Sequence, residues 1–402
     1  MTQAQPPRLE SVNQVRAHQR EWLDATRREV ADGGHFAICN GDEFEEVFIA
    51  MGIPVVAINY WNYLVVAQQK KQYYFDVLNK RGYPGDNFFA LGLASSMEPT
   101  QAPWGGLPKP TLICGSLRYE MELRVTELWA REYGCPIIPM DFAFPTSALQ
   151  EYPDNWYDLI RNDWESLVDP HRLEFRMMQE RRAITYVEQL TGKTFSVAEL
   201  ERSMTLLNEQ MDYWARAREL LGGAHPCPVT MRDQMSMYQA MWHRGTEAGV
   251  KLVRNYCEEV EHRVKQGIGG YRNEKIRFYY GDQVPAFQDW AEETYGAVAV
   301  AGSYSGFPDA YARNIHNHDP MRALAARHLL LVLYDHNWIL KQAKEHRCDA
   351  FIMIEPHTTP EYPSIEQQTA EAAGIPYLAI PRDADDPEIR AMVSKFIEER
   401  LL

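Results

Sequence analysis

The stretch 348–383, CDAFIMIEPHTTPEYPSIEQQTAEAAGIPYLAIPRD, constrains the fold more than any other. Residues 351–355 form an apolar run without polar alternation, which suits a parallel strand covered on both faces. A polar, proline-bearing turn over 356–363 follows. Ser364, with Glu366 and Gln367 behind it, then reads as a helix start, and Gly374-Ile375-Pro376 as its stop. A second strand at 377–381 closes the unit. In such units the ligand sits off the carboxyl ends of the strands, so Glu355, His357, Thr358 and Thr359 stand where chemistry is expected.

The same design recurs along the chain. A charged helix at 8–32 leads into strands expected at 35–39, 55–60, 88–93, 111–114 and 137–142. The helix within GDEFEEVFIAMGIP takes Asp42 as cap and Gly52 as stop, and another covers 64–80. Prolines in 99–110 exclude regular structure there. From 152 to 270 the pattern changes to long charged helices with apolar residues three and four apart, broken at His225-Pro226-Cys227-Pro228. Strands return at 275–280, 297–302, 351–355 and 377–380, with one long helix at 320–346. The fold class expected is α/β: two Rossmann-like parallel-sheet domains, 1–150 and 271–402, with a helical region, 151–270, between them.

The net charge of −15 argues against nucleic acid or an anionic membrane as partner. No run of about 18 apolar residues exists to cross a bilayer, and the first residues lack the apolar core of a signal peptide. Six cysteines without a CxxC pair read as reduced thiols, and the expected location is the cytoplasm. Ten Trp, 22 Tyr and 16 Met suit a generous core, an apolar ligand pocket or a subunit interface. There is no GxGxxG and no Walker loop, so neither a bound dinucleotide nor a P-loop is expected. His316-Asn317-His318-Asp319 lacks a third ligand at fixed spacing, and no metal is assigned to it. A triad of Ser116, His357 and Asp141 lacks the GxSxG elbow.

The expected strand ends gather a consistent polar set. The first domain offers Asn40, Tyr60 with Trp61, Ser116 with Arg118 and Tyr119, and Asp141; the second offers Asp282, Ser303, Tyr304 and Ser305, besides Glu355 and the residues after it. Glu46 opens a helix and is placed to act as a general acid or base. Arg118 suits bidentate capture of a carboxylate or phosphate, or pairing with Glu120 or Glu122. Each residue alone also reads as a cap or a solvated loop residue. Together they describe a ligand cleft between facing domains.

The order of FEEVFIAMGIP, RGYPGDNFFALGLASSM, LRYEMELRVTELWAREYGCPIIPMDFAFP, AVAVAGSYS and the 348–383 stretch resembles the 2-hydroxyacyl-CoA dehydratase / benzoyl-CoA reductase family. The resemblance covers most of the chain and implies two α/β domains with a helical region. It also implies pairing as a pseudo-symmetric dimer, and a [4Fe–4S] cluster held by three cysteines and fed by an ATP-dependent activator. At the positions where those cysteines are implied, this chain has Phe88, Tyr119 and Pro360, with Cys114 a few residues early. Neither a phenyl ring nor a proline ligates iron. The resemblance therefore implies a cluster-free half of a heterodimer, with no cofactor bound by this chain and the [4Fe–4S] cluster in a homologous partner. Coenzyme A would arrive as part of the substrate. Glu46, Tyr119 and His357 are the implied catalytic residues, and Tyr60, Phe88, Ser116, Arg118, Ser303, Tyr304 and Thr358 the implied substrate contacts. An aromatic acyl group and anaerobic aromatic degradation follow from family habit. Two other readings stay open: non-redox hydration or lysis of an acyl-CoA by acid–base catalysis, and a subunit without catalysis of its own.

Overall fold

The computed structural model describes residues 8–39, 44–83, 87–116, 120–141, 152–281, 284–315, 319–331, 335–355 and 363–402, with the side chains of Ser116, Phe307 and Glu355 excepted. Strand β1 (Ala37–Cys39), β2 (Val55–Ala57), β3 (Leu112–Ser116) and β4 (Ile137–Met140) form one parallel sheet in the order β2-β1-β3-β4. A second parallel sheet, of β5 (Ile276–Tyr279), β6 (Ala297–Ala301), β7 (Ala350–Glu355) and β8 (Tyr377–Pro381), has the order β6-β5-β7-β8. The two orders are the same topology repeated. In each, the chain reverses direction across the sheet at the first strand, and ligands favour the carboxyl edge beside such a switch.

Helices of the first half are α1 (Glu10–Ala31), α2 (Glu45–Ala50), α3 (Ile58–Ala67), α4 (Lys71–Lys80), α5 (Leu91–Met97) and α6 (Glu120–Tyr133). The middle is helical as expected, with α7 (Trp156–Leu159), α8 (Pro170–Thr191), α9 (Val197–Gly223), α10 (Met231–Tyr238) and α11 (Glu247–Gln266). Leu207, Met211 and Trp214 of α9 meet Val253, Tyr256 and Val260 of α11 in one buried cluster. Each large apolar side chain so buried contributes about 1.5–3 kcal/mol. The last part holds α12 (Gln288–Tyr295), α13 (Phe307–Tyr311), α14 (Pro320–Leu330), α15 (His336–Glu345), α16 (Ile365–Ala373) and α17 (Asp386–Arg400). Among the described residues no helix is long and apolar enough to cross a membrane.

Alternation along the strands decides which core each sheet face joins. Ile38 and Ile113 join a central core with α1, α3, α5 and the α9–α11 pair, while Ala37, Cys39, Leu112 and Cys114 face α2, α8 and α14. In β6, Val298 and Val300 point into that same central core, and Ala297 and Ala299 into a separate cluster with Phe278 and Phe396. One apolar interior thus runs from the first sheet through the helical middle to the second sheet.

Several expectations about the elements are corrected. The apolar run 88–93 is no strand: Phe88–Ala90 is a 3-10 turn, opened by the Asn87 side chain accepting from the Phe89 N–H at 2.9 Å, and α5 follows. Residues 58–60 belong to α3 rather than β2, and 64–80 divides between α3 and α4. The single helix at 320–346 is α14 and α15, the second capped by Asp335 accepting from the Trp338 N–H at 2.9 Å. The 99–110 stretch contains two short 3-10 turns, each begun by a proline.

Candidate functional site

Four of the residues singled out from sequence, Glu46, Tyr60, Phe88 and Tyr304, fall on one connected network beyond the carboxyl ends of the strands. Glu46 lies in the first turn of α2, directly beyond β1, and is fully buried. Both of its oxygens accept from the Arg327 guanidinium of α14, Oε2 from Nη2 at 2.6 Å. Arg244, which follows the 3-10 turn Gln239–His243, adds its Nε at 3.3 Å and also pairs with Glu45. Burial alone would raise the Glu46 pKa; Arg327 and then Arg244 outweigh it and hold the carboxyl at about 2. Arg244 Nη1 donates to Tyr60 Oη at 3.4 Å, and that hydroxyl donates to Tyr238 Oη at 3.5 Å. The Tyr238 ring lies 4.4 Å from that of Tyr304, whose hydroxyl meets Tyr63 Oη at 2.5 Å. Tyr63 in turn packs at 5.0 Å on Phe88.

Ser303 and Tyr304 open a 3-10 turn directly after β6, with the Ser303 N–H donating to the Gly281 carbonyl at 3.3 Å. Ser116 ends β3 opposite Met140. Arg118, Tyr119, His357 and Thr358 lie outside the described residues, as do Asn40, Asp42, Asp282, Thr359, Pro360 and the motif His316-Asn317-His318.

Beside this network, residues of α9, α10 and α11 and the turns after β5 and β6 border a recess of about 490 Å³, a figure that includes open solvent at its mouth. Trp214, Leu221, Met231, Met235 and Tyr304 supply apolar wall. Tyr256 Oη and His346 Nε2 are buried on that wall without a hydrogen-bond partner among the described residues. The His346 ring pairs its Nδ1 with the Gln342 carbonyl at 2.9 Å, which makes Nδ1 the donor and Nε2 an acceptor. Burial lowers its pKa to about 4, so the ring is neutral. Gly302 is required at the rim, since a Cβ there would stand 2.2 Å from the Gly281 carbonyl oxygen. Arg244, Arg327, Tyr238, Tyr256 and His346 have no local sequence motif to mark them, since they lie in helices or directly after helical turns.

A cubane needs three thiolates brought together from this chain. Cys39 and Cys114 are register partners on β1 and β3, and Cys39 is pushed well up in pKa by burial and by its hydrogen bond with the Cys114 thiol. Among the described residues no three His, Cys, Asp or Glu side chains converge to hold a metal ion. Phe88, where a ligand is implied, presents only a ring. The other two implied positions, Tyr119 and Pro360, lie outside the described residues.

Residues 45–399 match the family model of the 2-hydroxyglutaryl-CoA dehydratase D-component. Over 308 residues the chain is 22% identical to the alpha subunit of (R)-2-hydroxyisocaproyl-CoA dehydratase of Clostridioides difficile, covering 73% of this chain and 70% of that one. It is 25% identical over 195 residues to the alpha subunit of (R)-phenyllactyl-CoA dehydratase of Clostridium sporogenes, covering 48% of this chain and 42% of its relative. A match that begins at α2, at the carboxylate that anchors the arginines, and runs to the last helix leaves one assignment: the chain belongs to the 2-hydroxyglutaryl-CoA dehydratase D-component family.

Proposed function

We propose that this chain is the cluster-free subunit of a 2-hydroxyacyl-CoA dehydratase, paired with a homologous subunit that carries the [4Fe–4S] cluster. Membership of a dehydratase family supports an enzyme subunit. The observation that carries the finer reading is Phe88: where the resemblance implies an iron ligand, a phenyl ring packs on Tyr63, which is bonded to Tyr304 on the cavity wall. That aromatic wall suits the acyl part of a thioester. Tyr256 Oη and His346 Nε2 offer a hydroxyl and an acceptor, complementary to the amides of a coenzyme A arm. Ser303 and Tyr304 fix the rim from the second sheet, and Tyr60 links the rim to the arginines. Glu46 is the buried anion that positions Arg244 and Arg327, while Tyr119 and His357 remain the proposed catalytic residues and Arg118 and Thr358 proposed substrate contacts.

The test is anaerobic purification of the chain alone and co-expressed with a cysteine-bearing homologue, with iron analysis and an assay for dehydration of 2-hydroxyacyl-CoA. The expected result is iron-free chain alone, and a brown, active complex of two homologous chains. Iron bound stoichiometrically by the chain alone overturns the cluster-free assignment. Turnover by colourless, iron-free chain alone moves the reading to non-redox acyl-CoA chemistry.

A further inference from the structure

Helix α8 is apolar on two sides. Its inward face puts Leu173, Met177, Ala183, Ile184 and Val187 into the core it shares with α14. Facing outward, Phe175, Met178, Tyr186 and Leu190 are 40%, 40%, 41% and 37% exposed. At about 100° per residue these four and Arg182 fall within an arc of about 120°, as a continuous stripe about 22 Å long. A helix that only covers a core is polar on its solvent side, and a contiguous apolar patch there marks a contact surface.

The charge on this stripe is uncompensated. Arg182 lies on its midline and Arg181 beside its edge, both exposed. Neither guanidinium has a hydrogen bond or an ion pair among the described residues. The acids of the helix are engaged elsewhere: Glu174 pairs with Arg322, Glu180 with Arg176, and Glu188 accepts from the Phe195 N–H at 2.9 Å. On a chain whose net charge is −15, an unpaired positive centre runs against the overall sign. Aromatic residues, Met and Arg are also the side chains enriched at the buried centres of protein contacts.

We infer that the outer face of α8 is where the homologous partner subunit docks, with a carboxylate of that subunit set against Arg182 between apolar side chains. The identity of the partner rests on the dehydratase reading. The stripe itself argues against a second copy of this chain. Arg182 stands midway between Phe175 and Leu190, so a two-fold axis that buried the whole stripe would lay Arg182 on Arg182, whether the helices ran parallel or antiparallel. Two guanidiniums so placed repel as water leaves the interface, and the stripe holds no acid to separate them. A non-identical chain escapes this cost by presenting an acid at that point.

The experiment compares the full-length chain alone with the chain co-expressed with the cysteine-bearing homologue, by hydroxyl-radical footprinting read out by mass spectrometry. Met178 and Tyr186 should be oxidised readily in the chain alone and lose that reactivity in the complex. Arg182→Glu should weaken the complex about thirtyfold or more, while the variant alone melts within about 1 °C of the wild type. A complex in which Met178 stays as reactive as in the chain alone, or an Arg182→Glu variant that binds the homologue as tightly as the wild type, overturns the surface and leaves the dehydratase reading standing. Met178 already protected in the monomeric chain overturns it too, because the face is then covered from within. A wild-type chain that dimerises by itself and protects Met178 in doing so overturns the choice of partner. If no complex with the homologue forms at all, the paired-subunit reading fails, and the docking assignment fails with it.

Discussion

Glu46 and Glu180 lie in the same buried cluster and are pushed in opposite directions by it. Two guanidiniums on Glu46 outweigh its burial, so it stays ionised far below neutral pH and cannot serve as a proton donor there. Glu180 shares Arg176 with His328, whose Nδ1 is 2.8 Å from its Oε1, and burial dominates, raising its pKa to about 7. The stability consequence has a definite sign. A carboxyl whose folded pKa lies above its unfolded one contributes most below about 4.5, and loses that contribution as pH rises through about 7. The loss is on the order of 3 kcal/mol. Glu46 acts in the other window, losing its contribution as pH falls from about 4.5 through 2. His328, pushed well down by burial and by Arg176, destabilises as pH drops below its usual value, so the wild-type profile mixes these effects. The difference between wild type and Glu180→Gln isolates Glu180. The variant should gain relative stability between pH 5 and 7 in urea unfolding; a flat difference over that range would refute the assignment.

Among the elements, the turn after β6 matters most to the cavity. A Gly302→Ala change drives a methyl into the carbonyl oxygens of Gly281 and Tyr280, at 2.2 and 2.3 Å. Backbone cannot yield as a flexible side chain can, so the expected cost is about 1–3 kcal/mol by thermal unfolding, with weaker acyl-CoA binding by displacement of Tyr304 and Ser305. Wild-type stability in that variant would mean the close approach is dispensable. At this scale much could be read in advance. The run 351–355, the Ser364 cap and the left-handed Gly374 (φ 67°) gave β7, α16 and β8 their places. Short apolar runs misled where a helix and a strand look alike: at 88–93 the period of the pattern is too brief to choose, and the Asn87 cap decides for a helical turn. The arginine cluster was hidden for a different reason. Glu46, Arg244, Arg313 and Arg327 are brought together only by tertiary packing, and no local spacing records it.

For the molecule as a whole, one strand order is repeated in two sheets, and the tyrosine network joins the segments that follow β2 and β6. The continuous apolar interior bears on how substrate reaches that place. Among the described residues Ile38, Trp214, Val253 and Val298 share one cohesive mass, so the halves cannot part like a jaw without exposing it. Limited trypsin digestion should accordingly leave the chain nearly whole or reduce it to peptides, with no stable fragment near 150 residues on sizing; such a fragment, folded by circular dichroism, would show that a seam exists. On the proposed reading, a ligand in this site is then held by the body of the protein rather than by a clasp between halves.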